Sequence, residues 1–293
     1  MSDDGRRAIS VIGFIGSVFS PWYAWSGRRS PQDHCCINVA TYGPAGRFAM
    51  TDRGRAALRQ SPDALTVGPS EMRWHGDRLV MDLDEIASPP RIGRIRGTVT
   101  LTPGAVTGVE LSLSRSGGHV WRPFAPVARI AVDLEAEGWQ WEGHGYLDAN
   151  FGDRALERDF DFWTWGRYPT PDGGALVVYD AARSDGTSLD AAFRFAADGT
   201  ARAATAPPRT AMRRSGWGVR RATRADPGTV PRQVMPMLDA PFYARSVVAT
   251  TIDGARLRGV HEALDLRRFA SPLIKPMLAL RVPRRRGWPT DQA

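Results

Sequence analysis

Three Asp-Gly pairs, Asp172-Gly173, Asp185-Gly186 and Asp198-Gly199, stand 13 residues apart and separate ALVVYDAAR (175–183) from SLDAAFRFA (188–196). Asp-Gly is a hairpin signal, because the tight turns that match right-handed strand twist need a positive φ that glycine adopts without steric cost. A chain punctuated in this way folds as an antiparallel meander. The grammar returns downstream, where Asp253-Gly254 divides ARSVVATTI (244–252) from ARLRGVHEAL (255–264). Upstream, VTGVELSLS (106–114), VARIAVDLE (127–135) and WQWEGHGYLD (139–148) alternate faces with the same period of two. Helical spacing is confined to DRGRAALRQ (52–60), after the N-cap candidate Thr51, and to the apolar-basic segment SPLIKPMLALRVPRRR (271–286).

The expected fold class is therefore all-β with a few short helices. Many strands of this length lose their exposed edges best by closing into barrels, and an eight-stranded barrel takes about 120 to 150 residues. With 293 residues, 42% of them apolar, the chain has room for two such barrels or half-barrels side by side. The sequence places one at 8–168 and the other at 169–286, with a soft boundary between Arg167 and Gly174. Residues 202–234, rich in Arg, Pro and Ala, read as a flexible stretch. Arg6-Arg7 followed by the uncharged stretch 8–27 has the outline of a secretory leader. Gly13, Gly16 and Pro21 interrupt it and its apolar run stops near Phe19, so it reads as a buried strand, too short and too broken to span a bilayer.

The net charge of +8 is unevenly distributed. Residues 1–206 carry 22 basic and 25 acidic groups, whereas residues 207–286 carry 17 and 5. A basic flank on a nearly neutral body suits an anionic membrane surface as well as a phosphate backbone, and the plain alternative is a solvated Arg-rich face. Cys35 and Cys36 are adjacent and cannot bridge across the fold, which points to a reducing compartment. His34-Cys35-Cys36 has metal-ligating residue types, but neighbours on a strand face opposite sides and no second ligand pair lies nearby. It reads as a partly buried thiol pair beside a surface histidine.

No G-x-S-x-G, G-x-x-x-x-G-K, G-x-G-x-x-G or H-E-x-x-H motif supports the usual hydrolase, nucleotide or zincin chemistry. The middle of the chain is richer. His119-x-Trp121 and Tyr146-x-Asp148 each place two functional side chains on one strand face. If 139–148 is one unbroken strand, Gln140, Glu142, His144, Tyr146 and Asp148 line one side and Trp139, Trp141 and Leu147 the other, which taken alone is also the pattern of an ordinary outward-facing polar strand. Trp163, Trp165 and Phe124 belong to a dense aromatic run over 121–168, interleaved with Asp148, Glu157, Asp159 and Asp161. Carboxyls among aromatics fit glycoside hydrolysis, which pairs two carboxyls. They fit equally the protonation of an apolar substrate by one buried acid, with π-faces to receive a cation. An aromatic core beside surface acids would look the same.

Longer strings are more specific. FIGSVFSPWYAWSG, CINVATYGP, RFAMTDRGRAAL, GGHVWRPFAP, GYLDANFG, and DAPFYARS followed by GVHEAL resemble the carotenoid 1,2-hydratases, also called hydroxyneurosporene synthases, over residues 11–285. The resemblance implies a lipocalin-like all-β architecture in two parts and cofactor-free, metal-free addition of water to the terminal double bond of an acyclic carotene. It maps the catalytic set onto His119, Trp121, Tyr146 and Asp148, all of the expected residue types. The chemistry agrees: Asp148 is the candidate proton donor, Trp121 and Tyr146 the candidates to face the cation, with a hydrogen bond to Asp148 as the alternative role of Tyr146, and His119 the candidate to position water and accept its proton. Trp163, Trp165 and Phe124 are candidate substrate contacts. Some family members carry a longer N-terminal region, which leaves the mode of membrane attachment open. The expected partner is an acyclic carotene such as neurosporene or lycopene, with peripheral contact to anionic membrane and none with nucleic acid. The expected location is cytoplasmic, at the inner or photosynthetic membrane. A non-catalytic carrier of an apolar ligand and a related polyene or terpenoid cyclase share parts of this pattern.

Overall fold

The computed structural model of the protein describes residues 1–285, so Arg286, which closes both the basic segment and the second expected domain, lies outside the described residues. The chain divides into two compact units that interleave along the sequence. Unit 1 contains Met1–Thr102, Arg129–Gly145 and the chain from Pro272; unit 2 contains Pro103–Ala128 and Tyr146–Ser271. Residues 170–174, within the boundary stretch read from the sequence, are the turn between the paired strands Phe160–Pro169 and Ala175–Arg183 of unit 2. Asp172 and Gly173 make the hairpin turn that their sequence signals, with Gly173 at a φ of 81°.

In unit 1, Ala8–Ile15 pairs antiparallel with Cys35–Tyr42, so the first part of the uncharged N-terminal stretch is a strand, half-buried rather than buried, and Pro21–Trp25 is a short helix. Leu58–Gln60, Ala64–Val67, Ser70–His75, Arg78–Ala87 and Gly93–Pro103 form an antiparallel meander. The helix expected over 52–60 does not form. Arg55–Ala57 is a single 3₁₀ turn, and Leu58–Gln60 pairs with Ala64–Val67. A nine-residue helix is marginal by itself, and the strand partner decides the outcome. His34 is buried rather than on the surface, its Nδ1 3.4 Å from Asp52 Oδ2, and Ser20 and Arg284 also hydrogen-bond Asp52. Cys35 and Cys36 are buried free thiols, and burial pushes the Cys35 thiol up to about 11 and that of Cys36 higher. Among the described residues no helix is long and apolar enough to cross a membrane.

Unit 2 is built on a seven-stranded antiparallel sheet in the order Ala201–Ala203, Ser188–Phe195, Ala175–Arg183, Phe160–Pro169, Ala255–Asp265, Tyr243–Ile252, Arg232–Asp239. All four downstream strands read from the sequence are present, and Asp253 and Gly254 both take positive φ in their two-residue turn. The all-β expectation holds, with an open sheet: among the described residues no hydrogen-bonded pairing joins its two edge strands. Of 106–114 only Leu111–Ser112 forms a strand, paired with Val120 and Trp121, while Thr107 and Leu113 add single backbone hydrogen bonds to Phe124 O and His119 O. Residues 202–234 are not a bare connection; they include the hairpin Arg209–Met212 and Arg221–Arg224, which Thr223 ties to Tyr168 Oη at 2.8 Å.

The register of this sheet builds one chemically loaded face. Trp165 stands opposite Tyr179 on one neighbour and Glu262 on the other, and Trp163 opposite Ala181 and Leu264. Opposed residues project to the same side. Arg167, two residues on from Trp165, Phe193, opposite Val177, and Arg245, opposite Glu262, therefore share that side. Gly166, Tyr168, His261 and Ser246 face the other way.

Candidate active site

The strands His119–Leu134 and Gln140–Gly152 are hydrogen-bonded neighbours. Their ends in unit 2 bring together the two i, i+2 pairs found in the sequence. Gln140, Glu142 and His144 are exposed, while Tyr146 and Asp148 on the same side of the strand are half-buried. Trp121 is wholly buried, and its Nε1 donates to Asp148 Oδ2 at 2.8 Å and to Tyr146 Oη at 3.2 Å. Tyr146 Oη in turn donates to Asp148 Oδ2 at 2.9 Å. Both donors converge on one carboxyl oxygen. A neutral carboxylic acid accepts at its carbonyl oxygen and donates from the other, so this arrangement puts the proton of a neutral Asp148 on Oδ1.

Burial pushes the Asp148 carboxyl up to about 6, while the Trp121 and Tyr146 donors pull it down; Glu262 adds to the rise and Arg245 opposes it. The two effects suit an acid. Burial keeps the proton on up to about pH 6, and the two donors receive the negative charge once it leaves. Burial also pushes the Tyr146 phenol well above the ordinary tyrosine value, which keeps it a donor.

Aromatic rings surround this acid. Trp165 lies 5.1 Å from Tyr146, Tyr179 packs edge-on to Trp121 at 5.8 Å, Phe193 lies 6.1 Å from Trp121, and Trp163 packs edge-on to Tyr179 at 6.2 Å. Trp165 thus adjoins Tyr146, whereas Trp163 is linked to the acid through Tyr179 and Trp121. Phe124 stands apart. Burial alternates along 119–125 so that His119, Trp121, Pro123 and Ala125 face inward together; Phe124 projects from the other side, with the Arg122 guanidinium 5.3 Å from its ring. Strand parity removes it from the Trp121 cluster.

His119 is buried, with Nε2 3.0 Å from Asp159 Oδ2, and Arg154 holds the other oxygen of Asp159 at 2.6 Å. Its ring packs edge-on to Phe160 at 5.3 Å. Gly152 lies so close that a Cβ there would come within 2.5 Å of His119 Nδ1. Burial lowers His119 below the ordinary histidine value against the pull of Asp159, so the imidazole is neutral near pH 7. Among the described residues no direct hydrogen bond joins His119 to Asp148; the histidine shares a strand face with Trp121, roughly 7 Å further along at the usual strand rise.

Sequence reading missed Tyr179, Phe193, Arg167 and the pair Arg245–Glu262, whose NH2 and Oε1 atoms are 2.5 Å apart. Arg167 is buried, its Nε donates to Pro126 O at 3.0 Å, and burial lowers its guanidinium to about 10. Alternation within ALVVYDAAR puts Val177, Tyr179 and Ala181 on one side, but only the pairing of Tyr179 with Trp165 says which side that is. Among the described residues no three His, Cys, Asp or Glu side chains converge as metal ligands would.

Residues 11–291 match the family model described as carotenoid hydratase CrtC. The chain is 64% identical over 278 residues to the acyclic carotenoid 1,2-hydratase of Cereibacter sphaeroides, covering 95% of this chain and 99% of that protein. It is 57% identical over 279 residues to the protein of the same name from Rhodobacter capsulatus, with the same coverage. Against that of Thiocapsa roseopersicina it is 45% identical over 289 residues, covering 97% of this chain and 71% of that protein. With most of its length matched to the family model and to relatives of this identity, the chain belongs to the carotenoid hydratase family.

Proposed function

We infer that this protein adds water across the terminal C1=C2 double bond of acyclic carotenes such as neurosporene and lycopene, giving the tertiary 1-hydroxy carotenoid. The observation that carries this reading is the near full-length likeness to acyclic carotenoid 1,2-hydratases. The desolvated acid at Asp148 supports it with a mechanism. Asp148 Oδ1 gives its proton to C2, the less substituted alkene carbon, and the tertiary cation forms at C1. Trp121, Tyr146, Trp163 and Trp165 offer π-faces to that cation, each worth about 2 kcal/mol where water is excluded. The neutral His119 positions a water and accepts its proton as the oxygen bonds to C1, with the Asp159 carboxylate, 3.0 Å from Nε2, stabilising the imidazolium. The proton then returns to Asp148 through solvent, so one water is consumed and the side chains are regenerated. No cofactor takes part.

A lipocalin-like organisation in two parts belongs to this reading. So does a cytoplasmic location with peripheral attachment to the inner or photosynthetic membrane, since the hydrocarbon substrate dissolves in the bilayer. The net positive charge of 207–286 supports the attachment, although Arg221 and Arg224 of that segment are buried within unit 2.

The test is expression in cells that accumulate lycopene or neurosporene, grown in ¹⁸O-enriched water, with mass analysis of the pigments. The reading predicts a product heavier by one labelled water that is absent with Asp148→Asn. Unlabelled, unchanged pigment beside folded protein would favour a carrier, and an isomer of the substrate would favour a cyclase.

A further inference from the structure

The helix Ile274–Arg281 in unit 1 has inverted polarity. A surface helix of a water-soluble fold turns its charged side outward. Here Leu273 (77% exposed), Met277 (42%) and Leu280 (78%) stand in solvent with the exposed Pro276, while Ile274 and the following Val282 are buried. The spacing i, i+4, i+7 makes these three one stripe. The helix Pro21–Trp25 packs beside it, fixed by Trp22 Nε1 donating to Val282 O at 2.7 Å. It sets Trp25, 53% exposed, edge-on against Trp22 at 5.2 Å.

Charge on the segments that carry the patch is mostly basic, with Asp33, ion-paired to Arg55, at their edge. Residues 15–32 and 271–285 contain Arg28, Arg29, Lys275, Arg281, Arg284 and Arg285 and no acidic residue. Arg284 is engaged with Asp52, whereas Arg29 and Arg285 are exposed. Apolar side chains standing in water inside a basic rim match the two layers of a membrane surface, acyl chains beneath anionic headgroups. Tryptophan is the residue that settles at the boundary between them. A second copy of the chain would bring the same basic rim against this one.

We propose that these two helices are a docking surface for a bilayer containing anionic lipid, with Leu273, Met277 and Leu280 entering the acyl layer and Trp25 lying at headgroup depth. The proposal rests on the reading that the substrate is a bilayer-dissolved carotene, and it assigns the contact to unit 1 rather than to the basic segment as a whole.

The experiment uses the full chain with vesicles of phosphatidylcholine alone or with phosphatidylglycerol. Wild type floats with the phosphatidylglycerol vesicles, and Leu273→Gln with Leu280→Gln lowers the bound fraction at least tenfold. Arg28→Gln with Arg29→Gln lowers it severalfold and removes the advantage of the anionic vesicles. Turnover of vesicle-embedded lycopene falls tenfold in the leucine variant, while turnover of lycopene in detergent micelles is unchanged. Flotation of the leucine variant at the wild-type level overturns the proposal, as does a wild-type dimer that the variant dissociates without loss of flotation. Failure of wild type to hydrate micellar lycopene counts against the hydratase reading alone, because flotation is read without turnover.

Discussion

Glu85 in unit 1, wholly buried, and Asp148 in unit 2, half-buried, are both carboxyls whose affinity for protons desolvation raises, yet they are equipped for different tasks. Both oxygens of Glu85 are engaged: Arg53 reaches Oε1 at 3.2 Å and Oε2 at 2.8 Å, and Ser70 Oγ donates to Oε1 at 2.9 Å. A bidentate guanidinium balances its charge, and adding a proton would break the pair. Asp148 is met instead by an indole and a phenol, both neutral and both at Oδ2. Losing or gaining a proton leaves these donors in place. Burial alone does not distinguish a structural ion from a general acid; the charge of the donors and the number of oxygens they occupy do.

The largest effect expected from disturbing this contrast is that of Asp148→Asn. The amide retains an acceptor for Trp121 and Tyr146 but has no acidic proton, so turnover should fall by about two to four orders of magnitude. Its stability should tell the same story. The folded carboxyl titrates near 6, above the ordinary aspartate value of about 4, so its contribution is complete below about pH 4 and is lost as pH rises through 6. Wild type should therefore lose up to about 3 kcal/mol between pH 4 and pH 8 relative to Asp148→Asn, as read by urea unfolding.

Glu85→Gln should invert the pattern. It strands the Arg53 charge, and denaturant unfolding should show destabilisation by about 3 to 5 kcal/mol while turnover per folded molecule is unchanged. Gly152→Ala tests the base without touching the acid. Its Cβ would come within 2.5 Å of His119 Nδ1, a ring that Asp159 and Phe160 hold, so kcat should drop about tenfold, with destabilisation of about 1 to 3 kcal/mol from overpacking. Tyr146→Phe is the finest probe. It keeps the ring and removes one donor to Oδ2, so Asp148 should hold its proton more tightly. The descending limb of kcat/KM against pH, near 6 in wild type, should move up by about one unit as the rate falls severalfold.

Much of this site was legible because a strand has a period of two. His119 with Trp121 and Tyr146 with Asp148 had to share faces whatever the topology, and the Asp-Gly turns fixed the downstream strands. Register was hidden. Tyr179 and Glu262 flank Trp165 only because three strands separated by long stretches of chain pair at one offset, which no local pattern encodes. Parity removed Phe124, which aromatic density alone had included. The helix expected at 52–60 was lost to the strand pairing of Leu58–Gln60, a tertiary choice that local propensity does not record. The carboxyl contrast was equally out of reach, since sequence offers Glu85 and Asp148 as two acids and only the side-chain partners tell them apart.

The most direct test of a neutral, desolvated Asp148 is the carboxylic C=O infrared band in the difference between wild type and Asp148→Asn, followed from pH 4 to pH 8. The account predicts a protonated-carboxyl band that disappears with a midpoint near 6. A midpoint at or below about 4, the ordinary aspartate value, would contradict it.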